Sequence, residues 1–134
     1  MGTIKQQVIL PCEPETAFHA WLDSKLHGEM VGADAHIDPT IGGKFRIWDH
    51  QVTGITNGID KESLCVEQDW HFDWPDWSKE EPSHIEICFS AHENGCVVNF
   101  VQTNVPPSHL QELKEGWQDN YWSPMKDYFA NRED

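Results

Sequence analysis

Val105–Phe129 reads VPPSHLQELKEGWQDNYWSPMKDYF. Pro106 and Pro107 break whatever precedes this stretch, and Ser108 suits the N-cap of a helix beginning there. Leu110, Leu113, Trp117 and Tyr121 recur at steps of three and four residues, which stacks them on one face of a helix. Glu112, Lys114, Glu115 and Asp119 fall elsewhere on the wheel and suit water. Ser123-Pro124 is expected to kink or split the helix, because the proline ring clashes with the preceding turn. Met125, Tyr128 and Phe129 carry the apolar face further. A late helix this aromatic requires a broad apolar partner, and the partner is readable upstream.

Leu64, Val66, Gln68, Trp70 and Phe72 alternate with Cys65, Glu67, Asp69 and His71, the clearest two-residue period in the chain. Ile85, Ile87 and Phe89 alternate in the same way, as do Val98, Phe100 and Gln102. Glu93-Asn94-Gly95 joins the last two as a hairpin. Upstream, Lys44–Trp48 and Val52–Ile59 read as strands, with Gly54 and Gly58 marking a bulge or a close backbone approach. Thr3–Leu10 is a first strand, with Ile4, Val8 and Leu10 on one side and Gln6 among them. Between it and the later strands lie two short helices, one opened by Pro14 and the other over Lys25–Met30. The reading is α+β: β-α-α, six strands, then a long helix. Hairpin-linked strands form an antiparallel sheet, and only the C-terminal helix is long enough to cover its apolar face.

The chain has 134 residues, which fits a single domain over 1–134. Nine Lys and Arg against 23 Asp and Glu give a net charge of −14. That sign repels phosphate backbones and anionic lipid, so neither nucleic acid nor membrane is an expected partner. No signal segment and no membrane-spanning run is present in the sequence. The four cysteines, Cys12, Cys65, Cys88 and Cys96, show no CxxC spacing. They are expected as free, mostly buried thiols of a cytoplasmic protein.

The ordered motifs resemble a known family. Pro14–Trp21 (PETAFHAW), Ile37-Asp38-Pro39, Gly42-Gly43-Lys44-Phe45, Val52-Thr53-Gly54, Trp70 with Trp74-Pro75, and Val105-Pro106 with Glu115-Gly116-Trp117 and Tyr121 succeed one another collinearly over nearly the whole chain. They are similar to the C-terminal domain of the activator of the ninety-kilodalton heat-shock protein ATPase, within the SRPBCC superfamily. The resemblance implies a helix-grip (START-like, birch-pollen-allergen-like) fold, a sheet wrapped around the C-terminal helix. Relatives of that fold hold lipids, sterols or polyketide-like molecules between sheet and helix. The eukaryotic co-chaperone carries a further N-terminal domain. The expectation is therefore that this chain alone stimulates such an ATPase weakly or not at all.

No nucleophile elbow, phosphate loop or catalytic constellation is evident, so neither an enzyme nor a cofactor is expected. Glu67, Asp69 and His71 share a wet strand face and are read as solvating side chains rather than a metal site. The expected function is a non-enzymatic module with an apolar cavity for a small hydrophobic molecule. A protein-interaction module acting on a heat-shock chaperone is the alternative, and a helix-grip cyclase or hydrolase a further one. Alternation points Phe45, Ile47, Gly54, Val66, Gln68, Trp70, Ile87, Phe89, Val98, Phe100 and Gln102 into the cavity, with Trp117 and Tyr121 from the helix. Gln68 and Gln102 either bond each other or the backbone, or orient the ligand. Gly116 removes bulk from the wall or lets the helix approach the sheet. The loop Phe72–Pro82 is the expected rim, with Trp74 and Trp77 near the mouth and Trp77 the better gate.

Overall fold

The structure, a computed structural model, describes residues 2–48, 51–74, 77 and 82–131. Seven antiparallel strands form one sheet: β1 (Gly2–Leu10), β2 (Ala35–Ile37), β3 (Lys44–Ile47), β4 (Val52–Asp60), β5 (Cys65–Phe72), β6 (Ser83–His92) and β7 (Gly95–Val105). Their order across the sheet is β1-β7-β6-β5-β4-β3-β2. Consecutive strands from β2 to β7 are neighbours, as short hairpin links require. β1 then returns beside β7, pairing Val8 with Val98 and Leu10 with Cys96.

Two helices cross from β1 to β2. α1 (Pro14–Leu22) starts with Pro14 in its first turn, where a missing N–H costs nothing. α2 (Ser24–Val31) is capped by Asp23, whose carboxylate accepts from Leu26 N–H at 2.9 Å. It ends on Gly32 in the left-handed region. The Ser24 hydroxyl accepts from Ile37 N–H at 2.8 Å, so α2 covers the short edge strand β2.

The C-terminal helix is built in pieces. A 3-10 turn (Pro107–His109) leads into α3 (Leu110–Trp117), then a π-helical turn (Gln118–Trp122), then α4 (Ser123–Ala130). Ser108 therefore sits inside the 3-10 turn and does not cap the helix through its side chain. The expected disturbance at Ser123-Pro124 is present, but as a widened turn just before it. Pro124 would strike the carbonyl of Asn120 in a regular helix. The wide turn relieves that contact, with Ser123 N–H bonding to the Gln118 carbonyl.

The wide turn also keeps the apolar face in line. Leu113, Trp117, Tyr121, Met125 and Phe129 are all buried and lie four residues apart. On a regular helix each such step drifts about 40°, so the set would wander about 160° around the axis. A π turn, which turns less per residue, takes up part of that drift. It also brings Trp122, which the periodicity did not single out, into the core.

The glycines at Gly54 and Gly58 have the two meanings anticipated. The β4–β5 register shifts between Thr56 and Gly58, a bulge. A Cβ at Gly54 would overlap the Asp69 carbonyl oxygen and the Phe45 ring, so the close approach there requires glycine. The expectation of four free thiols fails at two positions. Cys65 and Cys88 stand directly opposite in β5 and β6 and are joined as a disulfide. Cys12 and Cys96 are free and buried, and burial pushes the Cys96 thiol up to about 11.

The core is held by an unusual pairing of tryptophan with glutamine. Gln68 accepts at one carbonyl oxygen from Trp21 Nε1 at 3.1 Å and Trp70 Nε1 at 3.0 Å, and donates to Thr56 at 3.1 Å. Gln102 accepts from Trp117 Nε1 at 2.7 Å and donates to the Ser83 hydroxyl at 2.9 Å. Gln6 accepts from Trp122 Nε1 at 2.7 Å. Replacing Gln68 by Leu keeps the bulk but strands two buried indole N–H groups. Urea unfolding should show a loss of about 3 kcal/mol for Gln68→Leu; a loss below about 1 kcal/mol would mean that these bonds do not matter to the core.

Candidate functional site

A pocket of about 240 Å3 opens between the sheet and the C-terminal helix. β4 and β5 supply Val52, Trp70 and Phe72. The helix supplies Leu113, Gly116, Trp117, Asn120 and Tyr121, and the connecting loops supply Trp48, Gln51 and Trp74. Among the described residues no charged side chain lines it. Its polar lining residues are Gln51 and Asn120; the Tyr121 hydroxyl and the Trp70 and Trp117 indole nitrogens are already bonded to His27, Gln68 and Gln102.

The wall is aromatic and interlocked. Trp70 meets Trp117 at 5.1 Å between ring centroids, Tyr121 at 5.9 Å and Phe72 at 5.9 Å. Trp48, just after β3, has φ 54, left-handed backbone that a bulky residue rarely adopts. That conformation puts its ring edge-on to Tyr121 at 5.7 Å. Strain of this kind persists only where the surroundings hold it, and it gathers at binding sites. Gly116 leaves its stretch of wall bare: a Cβ there would meet only Asn120 Nδ2 at 3.7 Å.

Beneath the pocket lies a group that sequence reading passed over. His27 on α2 is 1% exposed. Its Nδ1 lies 2.8 Å from the Trp21 carbonyl and its Nε2 2.8 Å from the Tyr121 hydroxyl. A carbonyl only accepts, so Nδ1 carries the proton and Tyr121 donates to Nε2. Burial, partly offset by the Trp21 carbonyl, holds His27 at about 4, and burial drives the Tyr121 phenol well above its usual range. The pair is neutral at pH 7 and fixes the orientation of one pocket wall. Eight histidines scattered through the sequence offered no sign of this one, because its partners lie on other helices.

The structure divides the expected cavity residues. Trp70, Trp117 and Tyr121 line the pocket together with Trp74. Ile47, Val66, Ile87, Phe89, Val98 and Phe100 are buried in the core behind it. Phe45 and Gly54 border a separate groove on the outer side of the sheet. Gln68 and Gln102 bond neither each other nor a ligand-facing space; tryptophan nitrogens and hydroxyls engage them. The expected rim loop is described only at its ends and at Trp77; residues 75–76 and 78–81 lie outside the described residues. The two tryptophans of that loop differ in placement. Trp77 is 5% exposed and packs behind the lining residues Phe72, at 5.1 Å, and Trp74, at 6.1 Å, without lining the pocket itself. Trp74 is half-buried and stands on the pocket wall.

On the wet face of β5 the side chains of Glu67 and Asp69 meet β6. They flank His84, whose Nε2 and Nδ1 lie 3.3 and 3.0 Å from their carboxylates. Burial works against charge on His84, but the bonds to Asp69 and Glu67 outweigh it and its pKa is raised. Among the described residues no group of three or more His, Cys, Asp or Glu is placed to hold a metal.

Sheet, covering helix and aromatic pocket define a helix-grip module, the class to which this fold belongs. The family model for activator of Hsp90 ATPase homolog 1-like proteins matches residues 11–130, and the chain belongs to that family. Among solved structures, an HSP90 activator from Plasmodium falciparum is similar with TM-score 0.84 and 23% identity, covering 96% of both chains. The Aha1 protein of Colwellia psychrerythraea, solved as a dimer, is similar with TM-score 0.79 and 14% identity over 98% of each chain. Ara h 8.0201 is similar with TM-score 0.75 and 11% identity, covering 98% of this chain and 99% of that one. At these identities the structural likeness shows the fold alone. No curated protein sequence matches the chain significantly.

The buried histidine sets a pH dependence. An unfolded histidine titrates near 6.5 and His27 at about 4, so between those values the unfolded chain holds the extra proton. The His27 contribution is complete above pH 6.5 and is lost as pH falls toward 4, a loss of about 3 kcal/mol. Imidazole NMR should show His27 still neutral at about pH 5.5; a titration near 6.5 would contradict the buried pair. For the tryptophans, Trp77→Ala should cost about 3 kcal/mol and Trp74→Ala about 1 kcal/mol in urea unfolding, the reverse order refuting the assignment.

Proposed function

We infer that this chain is a non-enzymatic binding module that holds a small, mostly apolar molecule between its sheet and its C-terminal helix. The observation that carries this reading is the pocket of about 240 Å3 with aromatic walls and no charged side chain among its described lining residues. Such a site suits an uncharged ligand, since a charge there would lose its water without gaining a partner. The volume fits a compact molecule. An apolar cavity of roughly 150 Å3 accommodates benzene, so this one takes about two fused rings rather than a sterol. Gln51 and Asn120 can bond a single polar group on such a ligand. The expected setting is the cytoplasm, and no described helix is long and apolar enough to cross a membrane.

The family supports a second reading, interaction with a ninety-kilodalton heat-shock chaperone. The two readings use different surfaces. A ligand uses the inner pocket, whereas a partner needs exposed area on the order of several hundred Å2.

Gly116→Leu separates them. The new side chain enters the bare wall of the pocket, and losing a helix glycine offsets part of any cost, by about 1 kcal/mol. The variant should keep its thermal stability and lose at least tenfold in affinity for an uncharged naphthalene-type fluorescent probe, on the order of 1.4 kcal/mol. Unchanged probe affinity in the folded variant would remove the pocket from the function. ATPase stimulation by wild type and variant alike would promote the chaperone reading.

A further inference from the structure

Six aromatic side chains line the inner pocket in unbroken succession. Trp74 meets Phe72 at 5.1 Å between ring centroids, Phe72 meets Trp70 at 5.9 Å, and Trp70 meets Trp117 at 5.1 Å. Trp117 meets Tyr121 at 4.9 Å, and Tyr121 meets Trp48 at 5.7 Å. Successive planes are inclined by 37° to 87°, so the rings are not stacked flat on one another. A flat aromatic guest can therefore meet ring edges with its faces and ring faces with its edges, the arrangements that aromatic pairs prefer. An aliphatic guest of equal size gains buried area alone.

Two primary amides interrupt this surface, at Gln51 and Asn120. Both residues are exposed, which places them at the mouth. The Gln51 backbone is pinned: its N–H donates to the Trp48 carbonyl at 3.1 Å, and its carbonyl accepts from Asp73 N–H at 2.9 Å. Asn120 belongs to the π turn, a helix form that gathers at functional sites. Its Nδ2 lies 3.7 Å from where a Cβ on Gly116 would stand, so the amide leans over the strip of wall that Gly116 leaves bare. No hydrogen bond joins either side-chain amide to another described residue. Deeper polar groups are already engaged, the Tyr121 hydroxyl with His27 and the Trp70 and Trp117 indoles with Gln68 and Gln102.

We propose that the ligand of this pocket is a flat bicyclic lactam, selected by the side chain of Asn120. The proposal rests on the reading of the pocket as the binding site and narrows it to one chemical class. A primary amide presents an acceptor oxygen and a donor N–H side by side. The cis amide of a lactam presents the same two groups in complementary order, so both bonds form at once. An ether or a ketone offers acceptors alone. A carboxylate also only accepts, and it brings a charge that no described lining side chain balances. The fused rings lie against Trp70, Trp117 and Tyr121, and Asn120 holds the polar edge at the mouth.

The test compares 2-quinolone with coumarin, in which a ring oxygen replaces the lactam N–H and nothing else changes. Each is titrated into the full chain, and its affinity is read by displacement of the uncharged naphthalene-type probe. 2-Quinolone should bind about five- to tenfold more tightly than coumarin, and in 15N-labelled protein it should shift the side-chain amide resonances of Asn120. Asn120→Leu, at an exposed helical position, keeps the bulk and removes donor and acceptor together. In that variant, shown to be folded by its thermal transition, the ratio of the two affinities should fall to about one. The proposal fails if wild type binds the two compounds equally, if the folded variant keeps the preference, or if the probe binds and neither compound displaces it. That last result leaves the pocket reading standing, whereas a wild-type chain that does not bind the probe overturns that reading and this proposal with it.

Discussion

The indole N–H groups of Trp21, Trp70, Trp117 and Trp122 are buried between the sheet and its helices, and the acceptors they find determine how those helices sit. An indole N–H cannot be hidden without a partner except at a cost of about 1–3 kcal/mol. Gln68 on β5 meets two of them, from Trp21 on α1 and Trp70 on its own strand. Gln102 on β7 meets Trp117 on α3, and Gln6 on β1 meets Trp122 in the π turn. Each glutamine thus ties a strand to an element that crosses it or to a ring beside it. The bonds have direction, which apolar packing lacks, so they specify where along the sheet each helix lies.

The same bonds explain why the pocket is apolar. The inner face of the sheet holds polar groups enough to build a polar cavity, but they are engaged with one another. Gln102 leads to Ser83 and from there to the Trp70 carbonyl; His27 leads from the Trp21 carbonyl to Tyr121. What remains facing the void is ring surface and two amides. On the outer face the division is reversed: charged groups pair with one another, as His84 does with Asp69 and Glu67, and among the described residues a single ring nitrogen is left over.

The two histidines also respond to pH in opposite senses. His27 stabilises the fold above the ordinary histidine range and loses its contribution as pH falls. His84, with its raised pKa, contributes fully below that range and loses its contribution as pH rises through its folded value. Its side chain is well exposed, so the solvent-screened His84 effect is the smaller one. The acid side of the stability curve should accordingly be set from inside the core.

Much of the fold could be read along the chain, because its signals are local. Alternation at Leu64–Phe72 needs only a two-residue period, and Pro14, Asp23 and Gly32 mark helix ends through their own backbone preferences. Ordered motifs were enough to identify the family. Trp70, Trp117 and Tyr121 reached the pocket because inward-facing residues on facing elements have to meet. Beyond the reach of local signals is each case where two distant residues compete for one place. The glutamines faced inward as expected, yet whether they met a ligand or an indole depended on rings as far as 15 and 116 residues away. Trp77 and Trp74 look alike in a loop, and both pack on Phe72 and His109; depth of burial separates them, with Trp77 buried and Trp74 partly exposed at the pocket. Cys65 and Cys88 become partners only through the β5–β6 register, and His27 gains its meaning from Tyr121, 94 residues on. Sequence determines what each side chain is able to bond; only the tertiary fold decides which of the possible partners is within reach.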